Sequence, residues 1–253
     1  MKIEYVRSYS TYLKREMEYK VYGHDGLSIL SFPTQNGRFY DYEDRGLIAM
    51  FSDWIEKGRL RFICVDSLDL ESWSATGDPK SRLMVQENYF HYIVDELIPH
   101  FKTTMPQSFL YAFGCSMGAY HAMTVFARRP DLLDGVFCLS GIYHSGFFIK
   151  DYADDLSFLN SPLDSFCHLR CDHPYLALYR TKRILVCVGT GAYEGECLWD
   201  TQRLEEAFLK LGIQASVYYW SEGYSHDWPA WFEQIFYYLP HLLEEVEKGL
   251  RRT

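Results

Sequence analysis

Short apolar runs alternate with longer stretches of helical periodicity along most of the chain. Apolar runs of about four to eight residues, bounded by turn residues, are typical of buried strands. They predict strands over residues 27–32, 60–65, 109–113, 135–139, 184–188 and 215–220. Two further strands, over residues 3–10 and 17–22, are predicted near the start of the chain.

Apolar residues three and four positions apart predict helices between these strands. The predicted helices cover residues 43–57, 81–101, 117–129, 198–211 and a stretch from residue 228 with a break at Pro240. This alternation predicts an α/β fold with a mostly parallel central sheet, antiparallel N-terminal strands and helices on both faces. Because the chain has no internal repeat or linker, we expect a single domain over residues 1–253. Residues 141–180, whose pattern is the least regular, form an irregular, cap-like pocket segment within it.

The junction between the third apolar run and its helix carries the pattern Gly114-Cys115-Ser116-Met117-Gly118. Gly-x-Ser-x-Gly at a strand-to-helix turn is typical of a nucleophile elbow, in which the glycines let backbones pass close to a strained central residue. The free N–H groups of the following helix then point toward the same place. The pattern therefore predicts Ser116 as a nucleophile, and not Cys115 beside it.

A serine hydroxyl needs a base within hydrogen-bonding reach before it can act as a nucleophile at neutral pH. In enzymes with this elbow the catalytic residues follow the chain order Ser, acid, His, so the base is expected after the last strand. His226 is the histidine in that loop. We expect His121, on the elbow helix, to point into packing or solvent, and His144 to lie near a pocket without a catalytic role.

The base in turn needs a carboxylate that orients its ring and stabilises the imidazolium. Three acidic residues compete for this role after the strand over residues 184–188, namely Glu194, Glu196 and Asp200. Glu194 is favoured because it lies in the loop itself. Asp200, the next choice, has an alternative use near the start of the following helix, where it complements the helix dipole.

Acyl transfer also requires two preorganised donors for the oxyanion. One is expected to be the backbone N–H of Met117. The other should come from the loop after the strand over residues 27–32, with Gln35 as first choice and Thr34 or Asn36 close behind. The aromatic content of the segment after Ser140 predicts an acyl or alcohol pocket lined by Tyr143, Phe147, Phe148 and Tyr152.

Charge and cysteine usage narrow the class of protein. The formal net charge is −9, with both signs interspersed and no long basic run, which argues against binding to nucleic acid or to an anionic membrane surface. No apolar stretch approaches membrane-spanning length, and the first residues contain no apolar signal region. The seven cysteines are an odd number spread through predicted strands, which favours reduced thiols and a cytoplasmic location.

Two weaker patterns are rejected. Residues 189–194 begin like a dinucleotide fingerprint, but the sixth position is Glu194 instead of glycine and the motif comes late in the chain. The spacing of Cys167, His168, Cys171 and His173 matches no standard zinc site. The expected chemistry requires neither a metal nor a cofactor.

Four segments together resemble the putative esterase family of α/β-hydrolases, which includes feruloyl esterases, S-formylglutathione hydrolase (esterase D) and mycobacterial mycolyltransferases. These segments cover residues 114–119, 158–162, 189–194 and 226–228. The resemblance implies the α/β-hydrolase fold, with Ser116 as nucleophile and His226 as base. The family's acid is Asp in many members and Glu in the mycolyltransferase-like ones, which suits Glu194. The oxyanion loop over residues 32–37 departs from the His-Gly-rich form of many lipases.

These observations predict a serine hydrolase that cleaves a small-molecule carboxylic ester or thioester through a Ser-His-Glu triad and an acyl-enzyme. Two alternatives are a non-catalytic binding scaffold with the same fold and an acyltransferase that uses the same triad. The sequence specifies neither the substrate nor the oligomeric state.

Overall fold

The computed structural model of the chain describes residues 1–106 and 108–249. Within them, one eight-stranded sheet has the strand order β1-β2-β4-β3-β5-β6-β7-β8. Its strands are β1 (Ile3–Ser10), β2 (Arg15–Tyr22), β3 (Leu27–Phe32), β4 (Leu60–Val65), β5 (Leu110–Cys115), β6 (Gly135–Leu139), β7 (Arg183–Val188) and β8 (Ala215–Tyr219). Strand β2 pairs antiparallel with β1 and β4, and every other pairing is parallel. The predicted fold class is thereby confirmed.

Twelve helical segments surround this sheet in the described part of the chain, one of them extended by a π-helical stretch. They are α1 (Asp41–Asp44), α2 (Leu47–Met50), α3 (Ser52–Glu56), α4 (Pro79–His91) with π-helical residues Tyr92–Leu97, α5 (Ile98–Thr104), α6 (Met117–Arg128), α7 (Gly146–Ile149), α8 (Asp155–Leu159), α9 (Pro162–Cys167), α10 (Tyr175–Tyr179), α11 (Gly195–Leu211) and α12 (Trp228–Glu247). None of the helices described is both long and apolar enough to cross a bilayer.

Successive residues of each central strand point to opposite faces of the sheet, and an apolar core covers each face. On β5, Ala112 packs into the core covered by α4, α6 and α11, whereas Phe113 packs into the core covered by α1 to α3 and α12. Burial on both faces explains why the parallel strands read as continuous apolar runs and not as alternating ones.

Several helix predictions were wrong in detail. The single helix predicted over residues 43–57 is three short helices, because Gly46 adopts φ 89° and interrupts the first turn. The break predicted at Pro240 is absent, since α12 continues through it. The buried neighbours Leu239 and Leu242 hold that helix against the sheet, and such packing offsets the hydrogen bond that proline cannot donate. The segment over residues 141–180 contains the four short helices α7 to α10.

The parallel strands place their carboxyl ends along one edge of the sheet. The loops after β3, β5, β6 and β7 therefore meet there, and the loop after β8 joins them. All the residues predicted to carry chemistry lie on these loops or on the helices that follow them.

Candidate active site

Ser116 occupies a sharp turn between β5 and α6. Its backbone adopts φ 55° and ψ −122°, a strained conformation for a residue with a side chain. A Cβ atom on Gly114 would lie 2.1 Å from the carbonyl carbon of Gly118, and one on Gly118 would lie 2.2 Å from the carbonyl oxygen of Phe32. Both glycines are therefore required for the strand, the helix and the neighbouring loop to approach each other this closely.

The Ser116 hydroxyl is hydrogen-bonded to a histidine that is distant in sequence. Its Oγ lies 2.8 Å from Nε2 of His226, which follows β8. The backbone N–H of His226 donates to the carbonyl of Ala192 at 2.9 Å, and the ring of Trp231 packs edge-on against the imidazole at 5.0 Å. These contacts hold the ring so that one nitrogen faces Ser116.

The other ring nitrogen of His226 faces Glu194. Its Nδ1 lies 3.1 Å from Oε2 of this carboxylate, which is buried. The second carboxylate oxygen accepts a hydrogen bond from Oγ of Ser140 at 2.5 Å, and that hydroxyl accepts one from Nε1 of Trp231. A carboxylate on Nδ1 favours the tautomer that leaves Nε2 free to accept a proton from serine.

The two competing acidic residues lie elsewhere. Glu196 is exposed on the first turn of α11. The Asp200 carboxylate is fully buried and accepts hydrogen bonds from the backbone N–H groups of Tyr143 and His144 and from the His144 ring. Both oxygens of this carboxylate therefore bind the loop after β6 and do not contact His226.

Free backbone N–H groups surround the Ser116 turn. Among the described residues, the N–H groups of Met117 and Gly118 donate no hydrogen bond, as expected at a helix start. In the facing loop, Thr34 donates its N–H to Asp41 and Asn36 donates its N–H to Asp69. The N–H of Gln35 donates to none of the residues described, which leaves it as the unoccupied donor of the three predicted candidates.

A buried hydrogen bond between a histidine and a carboxylate connects that loop to the elbow helix, and the sequence did not predict it. Nε2 of His121 lies 2.8 Å from Oδ1 of Asp69, while Oδ2 of the same carboxylate accepts the Asn36 N–H at 3.0 Å. Both side chains are almost fully buried. The sequence could not predict this contact, because both partners of the Asp69 carboxylate are distant from it along the chain.

The predicted pocket residues separate into buried and exposed ones. Tyr143 has no exposed surface and belongs to the core, so its prediction as a pocket-lining residue is corrected. Phe148 packs with Met117 in a small cluster, and the ring of the half-exposed Phe147 lies 5.0 Å from it. Tyr152 is partly buried and donates its hydroxyl to Asp154.

His144 and Trp199 extend this aromatic surface, and the sequence did not single out Trp199. The His144 ring lies 6.3 Å from Phe147 and 5.7 Å from Trp199, centroid to centroid. Its hydrogen bond to the Asp200 carboxylate raises the pKa of the His144 imidazole above its usual value. The surface therefore combines aromatic rings with one polar ring that readily holds a proton.

Neither neighbouring thiol resembles an activated nucleophile. Burial raises the pKa of Cys115 well above its usual value, and the side chain has no exposed surface. Burial also raises the pKa of Cys197, which lies on the first turn of α11. Both groups are therefore neutral thiols at neutral pH.

The chain is similar to known proteins in both sequence and fold. The family model described as "Putative esterase" matches residues 6–242. No curated protein matches the chain significantly. The fold is similar to that of a solved ferulic acid esterase, with a TM-score of 0.72 and 16% identity over 96% of this chain and 97% of that one.

Two further solved structures have the same fold. The S-formylglutathione hydrolase FrmB from Staphylococcus aureus aligns with a TM-score of 0.69 and 13% identity over 96% of this chain and 97% of that one. MPT51 from Mycobacterium tuberculosis aligns with a TM-score of 0.69 and 14% identity over 96% and 98%. At these identities the likeness establishes the α/β-hydrolase fold alone.

Proposed function

The chain belongs to the Putative esterase family, and we propose that it is a serine esterase that works through an acyl-enzyme. The observation that carries this proposal is the hydrogen-bonded series from Ser116 Oγ through His226 to Glu194, with separations of 2.8 and 3.1 Å. A serine, a histidine and a buried carboxylate joined in this order are what nucleophilic attack on a carbonyl requires.

In the first half of the reaction, Ser116 Oγ attacks the ester carbonyl carbon while Nε2 of His226 takes the hydroxyl proton. The Glu194 carboxylate stabilises the imidazolium that results and keeps its ring in place. His226 then donates this proton to the departing alcohol or thiol, which leaves the acyl group on Ser116.

The negative charge that develops on the carbonyl oxygen needs preorganised donors. The Met117 N–H suits this role because it begins α6 and donates to none of the described residues. The backbone N–H of Gln35 is the second donor in this proposal, and not its side chain, which donates to Ser74 at 2.9 Å.

In the second half of the reaction, water activated by His226 hydrolyses the acyl-enzyme. The proposed substrate is a small-molecule carboxylic ester or thioester. The similar structures include a ferulic acid esterase, named for an ester, and an S-formylglutathione hydrolase, named for a thioester. Phe147, Phe148 and Tyr152, together with Trp199, form the aromatic surface that would receive the acyl or alcohol group.

A fluorophosphonate probe tests the activated serine directly. Intact-protein mass spectrometry is expected to show one adduct on the native chain, none on Ser116→Ala and little on His226→Ala. The matched control is Cys115→Ala, which alters the residue beside the nucleophile and should keep the adduct. A folded native protein that forms no adduct would contradict the proposal and favour a binding scaffold. Product analysis with an added alcohol separates hydrolysis from acyl transfer.

A further inference from the structure

Cys197 lies beside the proposed catalytic residues, although the mechanism does not use it. It is three residues after Glu194, so the start of α11 places both on one side of the helix. Its Sγ is 3.7 Å from Nδ1 of His226. One donor atom each from Glu194, Cys197 and His226 lie within 4.8 Å of one another, the only such group of three found in residues 1–106 and 108–249.

We propose that Glu194, Cys197 and His226 form a binding site for Zn²⁺ or a similar thiophilic divalent cation, and that its occupation inhibits the enzyme. Tetrahedral Zn²⁺ with bond lengths of about 2.0–2.3 Å separates its nitrogen, oxygen and sulfur ligands by about 3.3–3.6 Å. The observed separations are 3.1 Å from His226 Nδ1 to Glu194 Oε2 and 3.7 Å from Nδ1 to Cys197 Sγ. The third separation, from the Glu194 carboxylate to Cys197 Sγ, is at most 4.8 Å, so side-chain shifts of about 1 Å suffice for coordination.

The charges of this cluster also suit a divalent cation. A thiolate, a carboxylate and a neutral imidazole carry two negative charges, which Zn²⁺ neutralises. The buried Cys197 thiol lies beside the buried carboxylate of Glu194, and these surroundings favour a cation. A coordinating thiol loses its proton to solvent. An ion can approach past His226, whose side chain is 20% exposed.

Inhibition follows from the tautomer of His226, and this consequence rests on the proposed function. A metal on Nδ1 displaces the proton that faces Glu194, and that proton moves to Nε2. Nε2 then donates toward Ser116 and cannot accept the serine proton. Binding therefore releases one proton in total, from the Cys197 thiol.

Metal binding can be measured without any catalysis. Cd²⁺ added to Ser116→Ala, after chelator treatment, is expected to give the ultraviolet absorption of a Cd²⁺–thiolate bond with one equivalent bound. The band should vanish in Ser116→Ala/Cys197→Ala. It should persist in Ser116→Ala/Cys171→Ser, the matched control, because Cys171 is an exposed thiol near His173. Loss of the band with Cys171 and not with Cys197 would overturn the proposal.

Inhibition is then measured as activity with Zn²⁺ relative to the metal-free activity of the same variant. The Zn²⁺ concentration for half-inhibition is expected to rise at least about 100-fold in Cys197→Ala, since outer-shell partners alone change metal affinity by about 10–100-fold. A chelator should restore the native activity. Equal inhibition of both proteins would overturn the proposal. Should the protein lack esterase activity, the Cd²⁺ titration still decides whether the site exists.

Discussion

At the scale of single residues, the Ser116 backbone explains why the candidate site is confined to so few positions. Its φ of 55° is tolerated because Gly114 and Gly118 let the adjoining segments approach, and the resulting turn aims the hydroxyl at His226 and not into the core. Such strain is stored at a site when the surrounding contacts over-determine it. The pattern of two glycines and a serine is local, so it could be recognised in the sequence.

Steady-state kinetics can decide which carboxylate orients His226. We expect Glu194→Gln to lower kcat by about 10³–10⁴-fold with little change in KM, because a neutral amide neither fixes the His226 tautomer nor stabilises the imidazolium. Steady-state kinetics on an aryl ester measure both constants. Glu196→Gln is the matched control, since Glu196 is exposed two residues further along the chain and this variant should behave as the native enzyme.

The opposite result would identify a different acid. Asp200→Asn is expected to keep most of the kcat of the folded enzyme, because Asp200 contacts His144 and not His226. Asp200→Asn should instead lower the free energy of unfolding by about 1–3 kcal/mol, since an amide keeps only one of the two buried acceptor oxygens. A large loss of kcat in Asp200→Asn, with Glu194→Gln nearly native, would contradict the assignment.

The pairing of His144 with Asp200 predicts a pH-dependent contribution to stability. The Asp200 hydrogen bond raises the pKa of the folded-state imidazole, assisted by the charges of Glu196 and Asp164 and opposed by burial. The contribution is therefore fully present below the unfolded-state pKa of about 6.5 and is lost as pH rises through the folded-state value.

Thermal unfolding of the native protein and His144→Asn measures this effect. The difference in Tm should be larger at about pH 5.5 than at about pH 8.5. His100→Asn controls for the loss of an exposed imidazole that forms no ion pair with the described residues. A difference that stays constant or grows with pH would contradict the prediction.

At the scale of elements, the loop after β3 and the helix α6 form one unit through Asp69. This carboxylate accepts the Asn36 N–H and pairs with His121 on α6, so it fixes the loop that carries Gln35 relative to Ser116. Asn36 itself has φ 60°, and its N–H direction depends on that partner. The position of the proposed second oxyanion donor is therefore set by a residue outside the loop.

Replacing this carboxylate should impair catalysis without impairing substrate binding. We expect Asp69→Asn to lower kcat roughly tenfold with KM almost unchanged, because misplacing one donor weakens an interaction made only in the transition state. Gln35→Ala is the matched control and should be nearly native, since the proposed donor is the backbone. A rise in KM with unchanged kcat in Asp69→Asn would contradict this role. The unfolding midpoint of each variant is measured separately to verify that the variant is folded.

Element boundaries show what the sequence can and cannot predict. Strands β3, β4 and β6 begin and end where the apolar runs do, because both faces of a central parallel strand are buried. The helix predicted over residues 43–57 and the break predicted at Pro240 were wrong, since the left-handed Gly46 and the packing of α12 depend on tertiary context. The pairs Asp69–His121 and Asp200–His144 each join a loop to a helix that is distant along the chain, and no local pattern identifies them.

At the scale of the whole molecule, the chemistry depends on elements drawn from most of the chain. Ser116, Glu194 and His226 follow β5, β7 and β8, and Gln35 follows β3. The parallel pairings hold these strands in register, so a shift in one strand would separate the hydrogen-bonding partners. This shared framework underlies the expectation of a single domain.

A single domain should unfold in one cooperative transition. In urea, far-ultraviolet circular dichroism reports the helices and strands, tryptophan fluorescence reports residues such as Trp231 near the site, and fluorophosphonate labelling of samples equilibrated at each concentration reports Ser116. We expect all three midpoints to coincide, because strands β2 to β7 of one sheet contribute buried residues to both cores. Ser116→Ala controls for stabilisation by the label, since its spectroscopic midpoint can be measured without any adduct. A labelling midpoint well below the spectroscopic ones would contradict one cooperative unit, since it would mean that the loops at the carboxyl edge open while the sheet remains folded.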